Sequence, residues 1–311
     1  MPARSRGDAF NIASHLPRVA RDMPDRPAVV VHIGRDEKGG AVYRSRSIAE
    51  LETLSNRYAD GLTGAGFGRG MRVLLMVRPG FDFIALVFAL FKIGAVPVMI
   101  DPGMGVGRML ECIRMVDLQG FIGIPAAQVM RVLRRGVFRS VRHVVTVGRR
   151  WAWGGTSLRR IAHGASEHFE TVATAPTDTA AILFTSGSTG PAKGVVYEHA
   201  MFDAQIRAIQ GSYGIKPGEI DLPAFPLFAL FSVAMGMTSV IPQMDPSRPA
   251  TVDPAKIVEA IIDHQVTNSF GSPAIWRRVA DYCVERHIRL PSLNRILIAG
   301  APVPYPVIEK L

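Results

Sequence analysis

Short apolar runs and helix-period segments take turns along the chain, and this alternation constrains the fold more than any other feature. SIAELETLSNRYADGL (47–62) places Ile48, Leu51, Leu54, Tyr58 and Leu62 on one helical face, with Ser47 and Glu50 spaced as a capping box. RVLLMV (72–77) reads as a buried strand. A helix near 81–93, a strand near 96–100 and the turn DPGMGVG (101–107) follow. The next helix sets Met109, Ile113 and Val116 on one side. QGFIGI (119–124), HVVTV (143–147) and TAAILF (179–184) read as strands. Beyond them come a helix over about 198–213, a strand near 220–225, an apolar segment at 227–241 and a helix at 254–265. A strand at TNSF (267–270), a helix at 274–287 and a strand at RILIAG (295–300) complete the pattern. Strands this apolar need cover on both faces, so the expected fold class is α/β, with mostly parallel sheets packed by helices.

Several classes drop out on composition. The best membrane candidate, FDFIALVFALFKIGAVPVMI (81–100), is interrupted by Asp82, Lys92, Gly94 and Pro97, and reads as a buried helix followed by a buried strand. MPARSRGDAFNIASHL lacks the apolar centre of a secretion signal. Cys112 and Cys283 are the two cysteines, far apart, so neither a disulfide framework nor zinc spacing exists and a reducing cytoplasm is expected. His143, His163 and His168 are a weak metal signal, and no metal-ligand set is assigned. The net charge of +10 is concentrated at 131–160, which has many arginines and no acid. That run reads as a solvated face carrying loops, with a pathway enzyme or an acidic lipid as alternative contacts. No nucleic-acid-binding signature accompanies it. The expected division is a first α/β subdomain over 1–177, with a basic excursion at 131–177, and a second over 178–311.

The stretch FTSGSTGPAKGVVYEHAMF (184–202) carries the chemistry. A strand feeding a Gly/Ser/Thr loop ahead of a helix suits phosphate, because glycines admit positive φ and let backbone N–H groups reach an anion. The loop is not a Walker A motif, since Lys193 sits between Ala192 and Gly194. Nor is it a Gly-x-Ser-x-Gly elbow. Composition alone leaves an ordinary surface loop open.

The full pattern TSGSTGPAKGV closely resembles the phosphate loop of adenylate-forming enzymes, the superfamily of acyl-CoA synthetases, luciferases and peptide-synthetase adenylation domains. VFALFKIGAVPVMIDP (87–102), FPLFALF (225–231) and RILIAGAPV (295–303) resemble further segments of that family in order and spacing, so the resemblance covers about 10–311. IDPGMG at 100–105, GPAKGVVYEH and FPLFALF look most like the olefin-pathway β-lactone synthetases.

The resemblance implies an ATP-dependent ligase that adenylates a long-chain 2-alkyl-3-hydroxy fatty acid and closes it to a β-lactone, with Mg²⁺ on the phosphates. It implies that Thr185, Ser186, Gly187, Ser188, Thr189 and Gly190 hold the β- and γ-phosphates and that Lys193 neutralises them in catalysis. Gly300, Ala301 and Pro302 would flank adenine; an ordinary strand-end turn is the plainer reading. Phe225, Phe228, Ala229, Phe270 and Gly271 would line the acyl pocket; plain core is the alternative. Ala229 departs from the His or large aromatic of many relatives and leaves room for a second alkyl branch. The family's Mg²⁺-binding Glu segment, its ribose-binding Asp segment and its small C-terminal domain are not found, and YPVIEKL (305–311) opens a helix without a stop signal. A truncated chain, inactive by itself, is therefore expected. A fatty acyl-CoA ligase and a catalytically dead nucleotide- or acyl-binding module are the competing readings.

Overall fold

The computed structural model describes residues 10–185, 193–225 and 227–311. Among these residues the strands are β1 (Pro27–Arg35), β2 (Ala41–Ser47), β3 (Arg72–Met76), β4 (Val96–Ile100), β5 (Gly120–Gly123), β6 (His143–Thr146) and β7 (Thr156–Ser157), then β8 (Thr179–Thr185), β9 (Lys193–Glu198), β10 (Ile220–Pro223), β11 (Thr238–Ile241), β12 (Asn268–Gly271) and β13 (Arg295–Ile298). They form two sheets, ordered β7-β6-β5-β3-β4-β8-β9 and β13-β12-β10-β11-β1-β2. Each sheet is parallel throughout except for one antiparallel edge strand, β9 in the first and β2 in the second. The α/β class with mostly parallel sheets is thus the observed fold.

The chain divides into two compact units that are not contiguous in sequence. The first comprises 1–18, 52–78 and 82–208; the second comprises 19–51, 79–81 and 209–311. β8 and β9, which follow the expected division at 177/178, pair within the first unit's sheet, and the hairpin β1–β2 pairs within the second. That hairpin lies outside the alternation read from sequence. Within the expected basic excursion at 131–177, the stretch 148–177 joins the sheet. It supplies β7 and the short helix Leu158–Ala162, whose N-cap Ser157 accepts from the Arg160 N–H at 3.2 Å.

Local chemistry accounts for the elements that matter most. The helix Ile48–Gly64 starts on a reciprocal capping box: the Ser47 N–H donates to Glu50 Oε2 at 2.7 Å, and the Glu50 N–H donates to Ser47 Oγ at 3.2 Å. The helix Phe81–Lys92 is buried at every position from Phe83 onward. The charge at its end, Lys92, is fully buried and donates to Ser55 Oγ at 2.8 Å and to Asn56 Oδ1, with Glu52 Oε2 at 2.7 Å. Burial still pushes the Lys92 ammonium below its ordinary pKa, against the pull of Glu52. No helix among the described residues is long and apolar enough to cross a membrane.

Gly61 marks a close approach inside the first unit. A Cβ there would lie 2.2 Å from the Ile161 carbonyl oxygen, so the glycine lets the helix Leu158–Ala162 dock. Gly61→Ala should therefore cost about 1–3 kcal/mol through overpacking. Gly64→Ala, with nothing within 4 Å of the added methyl, should be neutral or stabilising. Thermal unfolding of the two variants checks this, and equal midpoints would contradict the packing argument.

Candidate functional site

Parallel strands end on the same side of a sheet, and ligands of open α/β sheets bind beyond their carboxyl ends. In the first unit, β4 and β8 run side by side, with Ile100 paired to Phe184. The Asp101 N–H donates to the Phe184 carbonyl at 3.0 Å, and Asp101 Oδ1 accepts from the Gly103 N–H at 2.8 Å. Asp101 thus ends β4 and shapes the turn, as its sequence position suggests. The chain then differs from expectation. Residues 186–192 are followed by β9 rather than directly by a helix, and β9 returns antiparallel along β8; the helix His199–Tyr213 comes after it. The cause is legible in KGVVYE, a β-branched and aromatic run. The register makes Thr185 and Lys193 direct cross-strand partners, so two of the expected phosphate residues meet at the mouth of the hairpin. Behind them, Gly194 faces Phe184, whose ring would lie 2.8 Å from a Cβ at 194. Ser186, Gly187, Ser188, Thr189 and Gly190 lie outside the described residues.

His199, at the start of the helix after β9, is 1% exposed. Its Nδ1 accepts from the Ile12 N–H at 3.2 Å, and its ring packs edge-on against Phe91. Burial drives its pKa down to about 4, and the nearby Asp178 carboxylate only partly opposes this. Among the described residues this is a neutral histidine tying chain segments together. His143 is similarly occupied, by the Ala65 carbonyl at 3.1 Å. A cavity of ≈ 450 Å³ in this unit, lined by Arg69, Arg72, Asp178 and His199 among others, opens where β3, β4 and β8 begin. None of the expected ligand residues lines it.

In the second unit, the expected acyl and adenine residues gather past the ends of β10, β12 and β13. Phe228 stacks on Phe270 with ring centroids 3.6 Å apart, and Phe225 meets Phe228 edge-on at 6.0 Å. Phe228 and Phe270 line a mostly apolar cavity of ≈ 420 Å³ together with Phe231, Ile298 and Ala299. That volume lies within the usual range for small-molecule sites. Ala229 is fully buried, and neither it nor Phe225 lines the cavity. Gly271 has a packing role, since a Cβ would sit 2.8 Å from Trp276 Nε1. Gly300, Ala301 and Pro302 form an exposed turn after β13, with Gly300 at φ +96° and nothing within 4 Å of where a Cβ would stand. The turn is open enough for a flat ligand to reach its backbone.

The same cavity contains a polar group that the sequence reading missed. Asp221 is buried on β10 and accepts from Asn268 Nδ2 at 2.6 Å and from Ser232 Oγ at 2.5 Å. All three residues line the cavity, and Asn268 Oδ1 has no partner among the described residues. Burial raises the Asp221 carboxyl to about 6, although both hydrogen bonds favour its ionised form. The available signal was an acid inside the strand IDLP, where an apolar residue belongs.

These two groups bias stability in opposite pH directions. For His199, the unfolded chain binds the proton more readily. Its contribution is whole above about pH 6.5 and is lost as pH falls toward about 4. For Asp221, the folded state holds the proton more tightly. Its contribution is present below about pH 4 and is lost as pH rises through about 6. His199→Asn should therefore shrink the fall in melting temperature between pH 7 and pH 4.5. Asp221→Asn should raise the melting temperature at pH 8 relative to wild type, and less so at pH 4. Parallel pH profiles for wild type and variants would count against both assignments.

Comparison with known proteins identifies the family. A family model described as AMP-binding enzyme matches residues 16–311. An olefin beta-lactone synthetase from Xanthomonas campestris pv. campestris is 48% identical over 97% of this chain and 54% of its own length. One from Stenotrophomonas maltophilia is 46% identical over the same shares. The chain therefore spans about half the length of the curated relatives it matches. In fold, it is similar to the inhibitor-bound N-terminal domain of FACL13 from Mycobacterium tuberculosis, with a TM-score of 0.79 at 23% identity, covering 97% of this chain and 72% of that one. The match over 16–311 shows that the chain belongs to the AMP-binding enzyme family.

Proposed function

We propose that the chain supplies the nucleotide- and acyl-binding part of an ATP-dependent olefin β-lactone synthetase. The observation that carries this reading is the 48% identity to a relative of that name along 97% of the chain. The substrate is a long-chain 2-alkyl-3-hydroxy fatty acid. Its carboxylate oxygen bonds to the innermost phosphorus of ATP, and the bond to pyrophosphate breaks. The 3-hydroxyl oxygen then bonds to the acyl carbon, its proton departs, and AMP leaves with the former acyl–oxygen pair, closing the β-lactone.

Each residue has a task in this scheme. The backbone from Thr185 to Gly190 would hold the β- and γ-phosphates, Lys193 would offset their negative charge, and Mg²⁺, when bound with ATP, would supply further charge neutralisation there. Neutralising those oxygens makes pyrophosphate a better leaving group, a positioning and electrostatic effect. The cross-strand pairing of Thr185 with Lys193 supports the assignment, because it brings the two ends of the loop to one place. The open turn Gly300–Pro302 receives adenine. The cavity beside Phe228 and Phe270 takes an alkyl branch.

Two experiments on the full-length protein test the proposal. With ATP and a racemic 2-alkyl-3-hydroxy acid, lactone should form without coenzyme A. An absolute requirement for coenzyme A would instead make it an acyl-CoA ligase, and absence of pyrophosphate exchange would make it a binding module. Lys193→Ala should slow acid-dependent pyrophosphate exchange by ~10²–10³, the effect of removing one electrostatic stabiliser. An unchanged rate would mean that the phosphates lie elsewhere.

A further inference from the structure

We propose that the first unit docks on an anionic membrane surface through the end of the helix Pro125–Leu133, the loop 148–155 and the helix Leu158–Ala162. The residues 131–160 contain nine arginines and no lysine, aspartate or glutamate, so they carry nearly all of the net +10 of the chain. Every arginine from 134 to 160 is exposed. None of them forms a salt bridge with a described residue, whereas Arg35, Arg57, Arg69 and Arg295 all do. A solvated face normally mixes signs, because like charges crowded together repel. Here the repulsion is left standing, and an anionic partner relieves it.

Hydrogen bonds hold two of the basic segments together. Arg131, at the inner edge, is half-buried; its Nε donates to Gln128 Oε1 at 2.9 Å and its Nη2 to the Trp153 carbonyl at 2.6 Å. Gln128 Nε2 in turn donates to the Val145 carbonyl at 3.0 Å. Trp153 Nε1 donates to Thr146 Oγ1 at 3.0 Å, and its ring stacks on Trp151 at 5.5 Å between centroids. The helix end and the Trp loop are thereby fixed to one sheet edge. From this frame project two large apolar side chains, Leu133, 74% exposed, and Trp151, 62% exposed. Arg134 and Arg135 directly follow the first, and Arg149 and Arg150 directly precede the second.

That arrangement fits a lipid surface better than a protein partner. Tryptophan favours the headgroup layer, and basic residues near an anionic leaflet add affinity that salt weakens. Leu133 and Trp151 are single apolar groups set among charges, not a continuous apolar patch of the kind a protein interface buries at its centre. Seven of the nine arginines lie in or directly beside the three segments, with Arg139 and Arg142 between the first two, and both cavities described above lie elsewhere. This inference does not depend on the proposed reaction.

The test is co-sedimentation of the full-length protein with vesicles of phosphatidylglycerol and phosphatidylethanolamine, against vesicles of phosphatidylcholine. Affinity for the anionic vesicles should be at least tenfold higher and should fall with added salt. Arg134→Glu, Arg135→Glu, Arg149→Glu and Arg150→Glu combined should reduce it at least tenfold with the melting temperature unchanged, since all four side chains are exposed. Trp151→Ser should diminish the blue shift of tryptophan emission on binding, because Trp153 and Trp276 are more buried. Equal partition to both vesicle types, or undiminished binding by the quadruple variant, would overturn the proposal. Retention on immobilised polyglutamate without vesicle binding would also overturn it, and would point to an acidic protein instead.

Discussion

Backbone hydrogen bonding between parallel strands fixes where this molecule can do chemistry. A parallel ladder brings successive carboxyl ends to the same edge, and the chain must leave each of them by a loop before a helix returns it. In the first unit, β4 and β8 share that edge, which places the turn at Asp101 beside the strand that leads into residue 186. In the second, β10, β12 and β13 do the same for Phe225, Phe270 and the Gly300 turn. The antiparallel edge strand β9 adds a different constraint. By pairing with β8 as far as Thr185, it brings Lys193 back to a position eight residues removed in sequence.

Much of the fold was legible because burial leaves a periodic trace. RVLLMV, VPVMI and RILIAG are apolar runs of strand length, and Ile48, Leu51, Tyr58 and Leu62 recur at helical spacing; all four are buried. The elements that escaped are those whose trace is ambiguous. β1 and β2 form a hairpin of which β2, at the edge, alternates weakly through Arg44 and Arg46, so its pattern reads as loop. The apolar stretch 227–241 conceals a change from the helix Phe228–Ala234 to the strand β11, both largely buried, and periodicity cannot separate two such elements. β9 was absorbed into the glycine loop because Lys193 and Gly194 disguise its beginning.

The site was legible to a different degree. The loop pattern pointed to phosphate, and the aromatic run pointed to the apolar cavity, where Phe228 and Phe270 do meet. Ala229 and Gly271 do not line that cavity, because a helix and a strand each turn some side chains away from any one space. Asp221, Ser232 and Asn268 stand 11 to 47 residues apart, and only the pairing of β10 with β12 and the packing of a helix above them bring the three together. Apart from the acid inside IDLP, such a cluster leaves no local trace.

Lys92 has a consequence for how the first unit finds a unique arrangement. The helix Phe81–Lys92 is apolar on all sides, so burial rewards it almost equally at any rotation about its axis. The ammonium group breaks that degeneracy. It is satisfied only where Glu52, Ser55 and Asn56, one turn of the neighbouring helix, converge on it. Twisting the helix by a single residue would strand a cation in hydrocarbon, at a cost of several kcal/mol. One ionic latch therefore indexes an otherwise slippery cylinder, and the sheet built against it inherits that alignment.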